Sequence, residues 1–364
     1  MAGQFNIARL FRDVVSPQEG EIITFMVDHP HGDIKSTPAW DDRRKMAEEW
    51  RDGIRELCKE VGAVLNPLVS YPATGANNAD LPKEGIADGK TVVLEDILSK
   101  SNICFALTNW SGTAPLNALT KKYPQLRAAS MPGVARRMQD TALSADYTKV
   151  AKTAQVLTER LTRAESAHAV FSTGHELTFD LRYRQGEADD GYLHADKTGF
   201  RLINLPSGEA FIVPYEGERA GEPSRTEGQI PVPLVGEIAV LNVRANRIIG
   251  VEGKTREAQE LMEKFLADRA RQNIAELGLG CNPNAVVWGS VLEDEKAGFH
   301  WAYGRSEHLG GVVGPAQFAK PENIIHQDIV YAKGSPVTVA RLTLHYPDGN
   351  DEIIIQDSEY TVHA

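Results

Sequence analysis

Six potential metal ligands, four carboxylates and two imidazoles, lie in the second half of the sequence. They are Glu209, Glu276, Glu295, His300, His326 and Asp328. This set is enough to hold two divalent cations that share one bridging carboxylate. Such a pair lowers the pKa of a bound water and polarises a carbonyl group. The residue types therefore favour metal-dependent hydrolysis, provided that the fold brings these side chains together.

His326 and Asp328 form the most local pair among these residues. They are separated by one residue and precede the apolar pair Ile329 and Val330. Residues two apart in a β-strand project to the same face, so the spacing predicts that both side chains point into one site. The alternative interpretation of this triplet is an exposed strand edge.

Glu295 and His300 are five residues apart, with Gly298 between them. The glycine predicts a turn or bulge that could bring both side chains to one metal ion. Because Glu293, Asp294 and Glu295 form an acidic run, a solvated acidic loop is the alternative.

Glu209 and Glu276 lie in contrasting sequence surroundings. Glu209 stands in an apolar hairpin between Leu205 and Phe211, where a carboxylate is costly unless it is paired or bound to a metal. The alternative interpretation is that Glu209 occupies an outward-facing position on a strand. Glu276 is predicted to end a helix and to lead into a glycine-containing segment, with an ordinary helix-terminal glutamate as the alternative.

The N-terminal part alternates strand-like and helix-like segments. The apolar runs 21–27 and 102–107 predict buried strands, and Asp41 is predicted to cap a helix with Met46 and Trp50 in its apolar stripe. This alternation predicts a Rossmann-like parallel sheet in an α/β domain over residues 1–145. No G-x-G-x-x-G motif follows the first strand, so we infer no dinucleotide.

The pattern changes to hairpins after residue 145. Residues 237–243 and 247–251 form one predicted hairpin, residues 342–346 and 352–355 form another, and a helix is predicted from Thr255 to Asn273. Residues 146–364 are therefore expected to form an α+β domain with a mixed, largely antiparallel sheet that bears the metal ligands.

Composition and charge exclude several classes of partner. The chain has 364 residues, a formal net charge of -11 and three cysteines without close spacing. A surplus of acidic residues argues against nucleic acid and anionic membranes as partners. The cysteines favour a reducing compartment, and no apolar run is long enough to span a bilayer. We therefore expect a cytoplasmic protein that acts on a small peptide or other small molecule.

The order of several short motifs resembles one protein family. The motifs are Leu205-Pro206-Ser207-Gly208-Glu209, the segment 275–283, Asp294-Glu295-Lys296 with His300, Gly310-Gly311, and His326-Gln327-Asp328. Together they resemble the thermophilic metalloprotease family, which includes aminopeptidases T and S. The resemblance is strong over residues 170–332 and looser over the N-terminal part.

The resemblance implies a dinuclear metallo-aminopeptidase that removes N-terminal residues and forms a homodimer. It implies that all six residues named at the outset are ligands of zinc, cobalt, manganese or magnesium. Glu276 would be the general base or the metal bridge, and Tyr303 is the nearest candidate for the catalytic tyrosine of the family. The chain departs from the family at Phe299 and Trp301, which are expected to reshape the substrate pocket.

Two other interpretations remain open. A branch of the same fold binds a single iron and opens dihydroxypyridine rings with oxygen, and His300, His326 and Asp328 match its two-histidine-one-carboxylate triad by count. Phe299, Trp301 and Trp288 would suit such a small aromatic substrate. The presence of Glu209, Glu276 and Glu295 favours a site with two metal ions over a site with a single iron. A non-catalytic scaffold, either metal-binding or dimeric, is the third interpretation.

Overall fold

The computed structural model describes residues 5–362 of the chain. Its helices are α1 (Ile7–Val14), α2 (Pro38–Gly53), α3 (Arg55–Val61), α4 (Leu94–Leu98), α5 (Thr113–Lys122), α6 (Tyr147–Arg163), α7 (Arg256–Ala267) and α8 (Val291–Asp294). Within the described residues, no helix combines the length and the apolar composition that crossing a bilayer requires.

The strands pair in both parallel and antiparallel arrangements, so the predicted mixed α/β architecture is confirmed. They are β1 (Ile22–His29), β2 (Val64–Leu65), β3 (Val69–Pro72), β4 (Glu84–Ala87), β5 (Lys90–Val93), β6 (Ile103–Ala106), β7 (Arg127–Ser130), β8 (Ser166–Phe171), β9 (Glu176–Asp180), β10 (Glu187–Asp189), β11 (Leu202–Asn204), β12 (Glu209–Ile212), β13 (Glu227–Leu234), β14 (Glu237–Arg244), β15 (Arg247–Glu252), β16 (Ile274–Gly280), β17 (Phe299–Gly304), β18 (His326–Val330), β19 (Val339–His345), β20 (Asp351–Gln356) and β21 (Glu359–Tyr360).

The described residues divide into two compact units. The first comprises the residues up to Ala151 together with Asp189–Gly208 and Asn282–Val286. The second comprises Lys152–Ala188, Glu209–Cys281 and the residues from Val287 onward. The division into residues 1–145 and 146–364 stays a prediction.

The first unit is built on a sheet with the strand order β11-β7-β6-β1-β3-β4-β5, in which β2 also pairs with β1. Strand β1 is parallel to both β3 and β6, and its interior residues are buried. A parallel strand in the middle of a sheet has both faces covered, which explains its continuous apolar run. Helix α2 begins earlier than predicted, because Thr37 rather than Asp41 caps it and Pro38 occupies its first turn.

The second unit contains two sheets, with the strand orders β10-β12-β16-β17-β18 and β15-β14-β13-β9-β8-β19-β20-β21. The predicted hairpins are confirmed as the antiparallel pairs β14–β15 and β19–β20. Helix α7 ends at Ala267 and is followed by a 3-10 turn, Arg269–Gln272. The chain then enters β16, so Glu276 lies inside a strand and the prediction that it ends a helix is wrong.

Candidate metal centre

Strand β16 is the central scaffold of the predicted ligands. It is buried over its whole length and pairs with β12 on one side and β17 on the other. Because alternate residues of a strand face opposite sides, Glu276, Gly278 and Gly280 share one face. Leu277 and Leu279 on the opposite face belong to the hydrophobic core. Strand β16 therefore presents one carboxylate and two positions without side chains to the candidate site.

Gly278 makes room for the imidazole of His300, which lies opposite it on β17. A β-carbon on Gly278 would stand 2.0 Å from His300 Nε2 and 2.3 Å from Cε1. These separations are far below van der Waals contact, so any side chain at this position would displace the ring. The glycine is therefore a steric requirement of the position that His300 occupies.

Gly280 likewise leaves room for a neighbouring element, which is the turn that carries Glu295 and Lys296. A β-carbon on Gly280 would stand 2.1 Å from the Glu295 carbonyl oxygen and 2.6 Å from the carbonyl carbon of Lys296. The Gly280 amide also donates to the Gly298 carbonyl at 2.9 Å. The 3-10 turn Glu295–Ala297 thus lies directly on the strand.

Five of the six predicted ligands form two groups that share Glu276. His300 Nε2 lies 3.5 Å from Glu209 Oε2 and 3.5 Å from Glu276 Oε1. His326 Nε2 lies 2.9 Å from Glu276 Oε2 and 3.3 Å from Asp328 Oδ1. In each group the potential ligand atoms are within 4.8 Å of one another. The two oxygens of Glu276 therefore face two different groups.

Hydrogen bonds fix the tautomers of both imidazoles in their neutral form. His300 Nδ1 lies 3.2 Å from the Gly298 carbonyl, and His326 Nδ1 lies 2.7 Å from the Arg305 carbonyl. A carbonyl oxygen only accepts, so Nδ1 must carry the hydrogen in each ring. Once Nε2 has lost its proton, its lone pair faces the carboxylates, as expected of metal-binding histidines.

Two buried atoms of this cluster have no hydrogen-bond partner among the described residues. They are Glu209 Oε2 and His300 Nε2, and they face each other. Two atoms bound to one tetrahedral zinc at ordinary bond lengths are about 3.4 Å apart. The separations of 3.5 Å from His300 Nε2 to Glu209 Oε2 and to Glu276 Oε1 match this value. The unpaired atoms and the donor types therefore fit a divalent cation.

Lys296, to which the sequence gave no role, also lies within the cluster. The Lys296 ammonium is 2.6 Å from Glu209 Oε1 and 2.7 Å from Glu295 Oε1, and its side chain is 1% exposed. It therefore pairs with one oxygen of each of two predicted ligands. No spacing rule links Lys296 to Glu209, because their contact depends on the turn that lies against Gly280.

Burial and the neighbouring charges oppose each other in setting the pKa of each of these groups, and the net shift differs from group to group. Burial raises the pKa of Glu209, with the Lys296 ammonium opposing the shift. Burial would also raise the pKa of Glu276, but His300 and His326 outweigh it and hold that pKa well below its usual range. Burial acts to lower the pKa of His300, but Glu276 and Glu209 raise it to about 9. In the metal-free protein, protons therefore supply part of the positive charge that the carboxylates require.

The loop that orients His326 is held by Glu216, which the sequence did not mark. Glu216 accepts hydrogen bonds of 2.6 Å from Asn273, from Ser306 and from the Val312 amide. A β-carbon on Gly311 would stand 2.3 Å from the Ser306 hydroxyl oxygen, which accounts for a glycine in the Gly310-Gly311 motif. The three hydrogen bonds of Glu216 hold in place the segment that begins at Arg305, whose carbonyl contacts His326 Nδ1.

His308 is a second residue to which the sequence gave no role. Its ring lies 5.1 Å from the ring of His326, nearly perpendicular to it, and its side chain is 40% exposed. Burial and the nearby charge of His326 lower the pKa of His308 to about 4. A neutral imidazole that reaches solvent therefore stands beside a predicted ligand at neutral pH.

Glu295 and Tyr303 are not in either ligand group. Glu295 is held by Lys296 instead. Tyr303 lies three residues after His300 on β17, so it faces the core, where its ring packs 5.1 Å from that of Phe265. Phe299 and Trp301 are core residues for the same reason. The prediction that these two residues reshape the pocket is wrong, and we assign Tyr303 no catalytic role.

The acidic run 293–295 is not a solvated loop. Glu293 is fully buried and accepts from the Trp288 indole at 2.6 Å. Asp294 accepts from the amides of Trp288 and Gly289 at 2.9 and 3.0 Å. Asp294 thus fixes the local backbone, and Glu293 holds the indole of Trp288.

Comparisons with known proteins place the chain among solved structures by fold. No family model matches the sequence, and no curated protein matches it. The structure is similar to wild-type AmpT from Thermus thermophilus, with a TM-score of 0.58, 14% identity and coverage of 98% of both chains. It is also similar to 2,5-dihydroxypyridine dioxygenase from Pseudomonas putida KT2440, with a TM-score of 0.62, 16% identity and coverage of 98% of this chain and 97% of that one. At these identities the likenesses show a shared fold.

Proposed function

We propose that this protein is a metal-dependent hydrolase that holds two divalent cations and cleaves an N-terminal peptide bond or another amide bond. One observation carries the proposal. The two oxygens of Glu276 face separate ligand groups, one with His300 and the other with His326. A carboxylate in this arrangement is suited to bridge two cations, whereas a single-ion site needs no such division.

Each cation position draws on three residues. Glu209, Glu276 and His300 would hold one ion, and Glu276, His326 and Asp328 would hold the other. Zinc, cobalt, manganese or magnesium in these positions would polarise a carbonyl and lower the pKa of a water. The Gly298 and Arg305 carbonyls hold the two imidazoles in the tautomer that binds a cation.

The geometry also separates the roles of two glutamates. Both oxygens of Glu276 are directed at ligand groups, so Glu276 is assigned as the bridge. Glu295 lies outside both groups, and burial raises the pKa of its carboxyl, with the Lys296 ammonium opposing the shift. Of the two roles that the sequence left open for Glu276, general base and metal bridge, we therefore assign it the bridge, and we assign Glu295 as the general base.

Metal content and turnover test the proposal. Protein purified without chelator should contain two zinc, cobalt or manganese ions per chain and should hydrolyse aminoacyl amides or short peptides. Glu276→Ala should lose both metal and turnover, whereas Glu295→Gln should keep two ions and lose turnover. Retained turnover in folded, metal-loaded Glu276→Ala would contradict the bridging role.

A ring-cleaving iron dioxygenase acting on a small aromatic substrate is the second candidate function. It is favoured by the proximity of His326 Nε2 and Asp328 Oδ1, at 3.3 Å, with His300 on the adjacent strand. One iron per chain, with no second ion after addition of excess divalent metal, would support it and contradict the two-ion hydrolase. Oxygen consumption with dihydroxypyridines would then be the assay.

Two further properties are proposed from the sequence. The resemblance to the thermophilic metalloproteases implies a homodimer, which sedimentation of the purified protein tests. The cysteine pattern and the absence of long apolar runs favour the cytoplasm, which fractionation of source cells tests.

A further inference from the structure

A fixed positive charge stands at one end of the candidate metal centre. The Lys296 ammonium lies 2.6 Å from Glu209 Oε1, and its side chain is almost completely buried. It also contacts Glu295, which lies outside both ligand groups. Because the turn that carries Lys296 lies directly on Gly280, the ammonium has little freedom to withdraw.

The two ligand groups therefore differ in the charge that they offer a cation. In the group of Glu209, Glu276 and His300, the charge of Glu209 is already balanced in part by Lys296. In the group of Glu276, His326 and Asp328, the ion pairs of the described residues place no lysine or arginine on Asp328. Since Glu276 is common to both groups, the difference rests on the second carboxylate of each.

The ammonium also restricts how Glu209 can bind. Oε1 of Glu209 is held by Lys296, and Oε2 is the oxygen that faces His300. Glu209 can therefore offer one oxygen to a cation while the ammonium stays in place. Asp328 has no such constraint from a lysine or arginine among the described ion pairs.

We propose that the two cation positions fill in order, and that Lys296 is the positioning residue that sets this order. The position of Glu276, His326 and Asp328 fills first and holds its ion tightly. The position of Glu209, Glu276 and His300 fills second and exchanges its ion, because a bound cation there is repelled by the nearby ammonium. This inference rests on the proposed two-ion function and adds regulation by the supply of the second ion.

Calorimetric titration of the metal-free protein with Co²⁺ tests the order of filling. The wild-type protein should show two classes of site whose dissociation constants differ by about tenfold or more. Lys296→Met should tighten the weaker class until the two classes approach each other. A lysine with only a structural role would not give this result, because its loss would weaken binding rather than strengthen it.

Two further variants are needed, one as a control for loss of a lysine and one as a test of the position that contains Glu209. Lys333→Met removes a lysine from an exposed ion pair with Glu359, so it should leave both classes unchanged. Glu209→Gln should weaken the second class by about tenfold or more and keep the first, because only one group contains Glu209. Circular dichroism of each metal-free variant establishes that it is folded, and Glu209→Gln decides the question if Lys296→Met does not fold.

The possible failures are distinguishable. Two ions of equal affinity in the wild-type protein would overturn the inference and leave the proposed function intact. Weaker Co²⁺ binding in folded Lys296→Met, or loss of the tighter class in Glu209→Gln, would overturn it as well. A single ion at saturating Co²⁺ would overturn the two-ion function itself, and the order of filling with it.

Discussion

Replacement of Gly278 by alanine should disable one cation position while the fold persists. The added methyl carbon would stand 2.0 Å from His300 Nε2, and such contacts are essentially never shorter than 3.0 Å, so the ring must move by about 1 Å. Ligand positions tolerate displacements of about 0.2 Å. Gly278 has no left-handed backbone angle, so the effect arises from the imidazole. We expect binding at the His300 position to weaken by roughly a hundredfold, and the metal-free fold to lose about 1–3 kcal/mol.

Calorimetric titration with zinc or cobalt and thermal unfolding of the metal-free protein are the assays. Gly250→Ala is the matched control, because its methyl carbon would meet its nearest neighbour at 3.5 Å. Adding His300→Ala to Gly278→Ala removes the clash, so the stability loss of the double variant should be smaller than the sum of the two single losses. Wild-type affinity at both positions in Gly278→Ala would show that the His300 ring does not occupy the space above Gly278.

Three further predictions follow from other contacts. The metal-free protein should lose stability as pH rises from about 6.5 to 9. The pKa of His300 is raised to about 9 on folding, so its bound proton stabilises the fold below that range. Thermal unfolding across this range tests the prediction, and the metal-loaded protein should lack the effect. Gly280→Ala should lower the unfolding free energy of the metal-free protein by about 1–3 kcal/mol, because its methyl carbon would overlap the Glu295 carbonyl oxygen, and thermal unfolding measures this loss. Arg127→Met should cost about 3–5 kcal/mol of unfolding free energy in urea, because it leaves the largely buried carboxylate of Glu21 without its cationic partner and with the Gln18 amide as its remaining donor.

The parts of the site that depend on local periodicity could be predicted from the sequence. His326 and Asp328 share a strand face because the period of a strand is two residues, and the structure places them on β18 as expected. The same rule argues against Tyr303, since a residue three positions after His300 must face the other side of β17. That signal is present in the sequence itself, in the three-residue spacing of His300 and Tyr303.

The parts that depend on register and packing could not be predicted. Glu276 meets His300 because β16 and β17 pair with Gly278 opposite His300, and no local pattern sets that register. The contact of Lys296 with Glu209 spans two elements that are far apart in sequence. A lysine that follows an acidic run such as Glu293-Asp294-Glu295 is usually solvated, so the burial of Lys296 is a consequence of tertiary structure alone.

The geometry of the candidate site depends as much on residues that cannot bind a metal as on those that can. Strand β16 offers a single carboxylate, and the two glycines after it leave the space into which the neighbouring elements project. The first glycine admits the imidazole of His300, and the second admits the turn with Lys296. Conservative replacement of a ligand would leave this space intact, whereas a methyl group on either glycine would fill it. A related sequence with all five residues of the two ligand groups but with a larger residue at position 278 should therefore not form the same two groups.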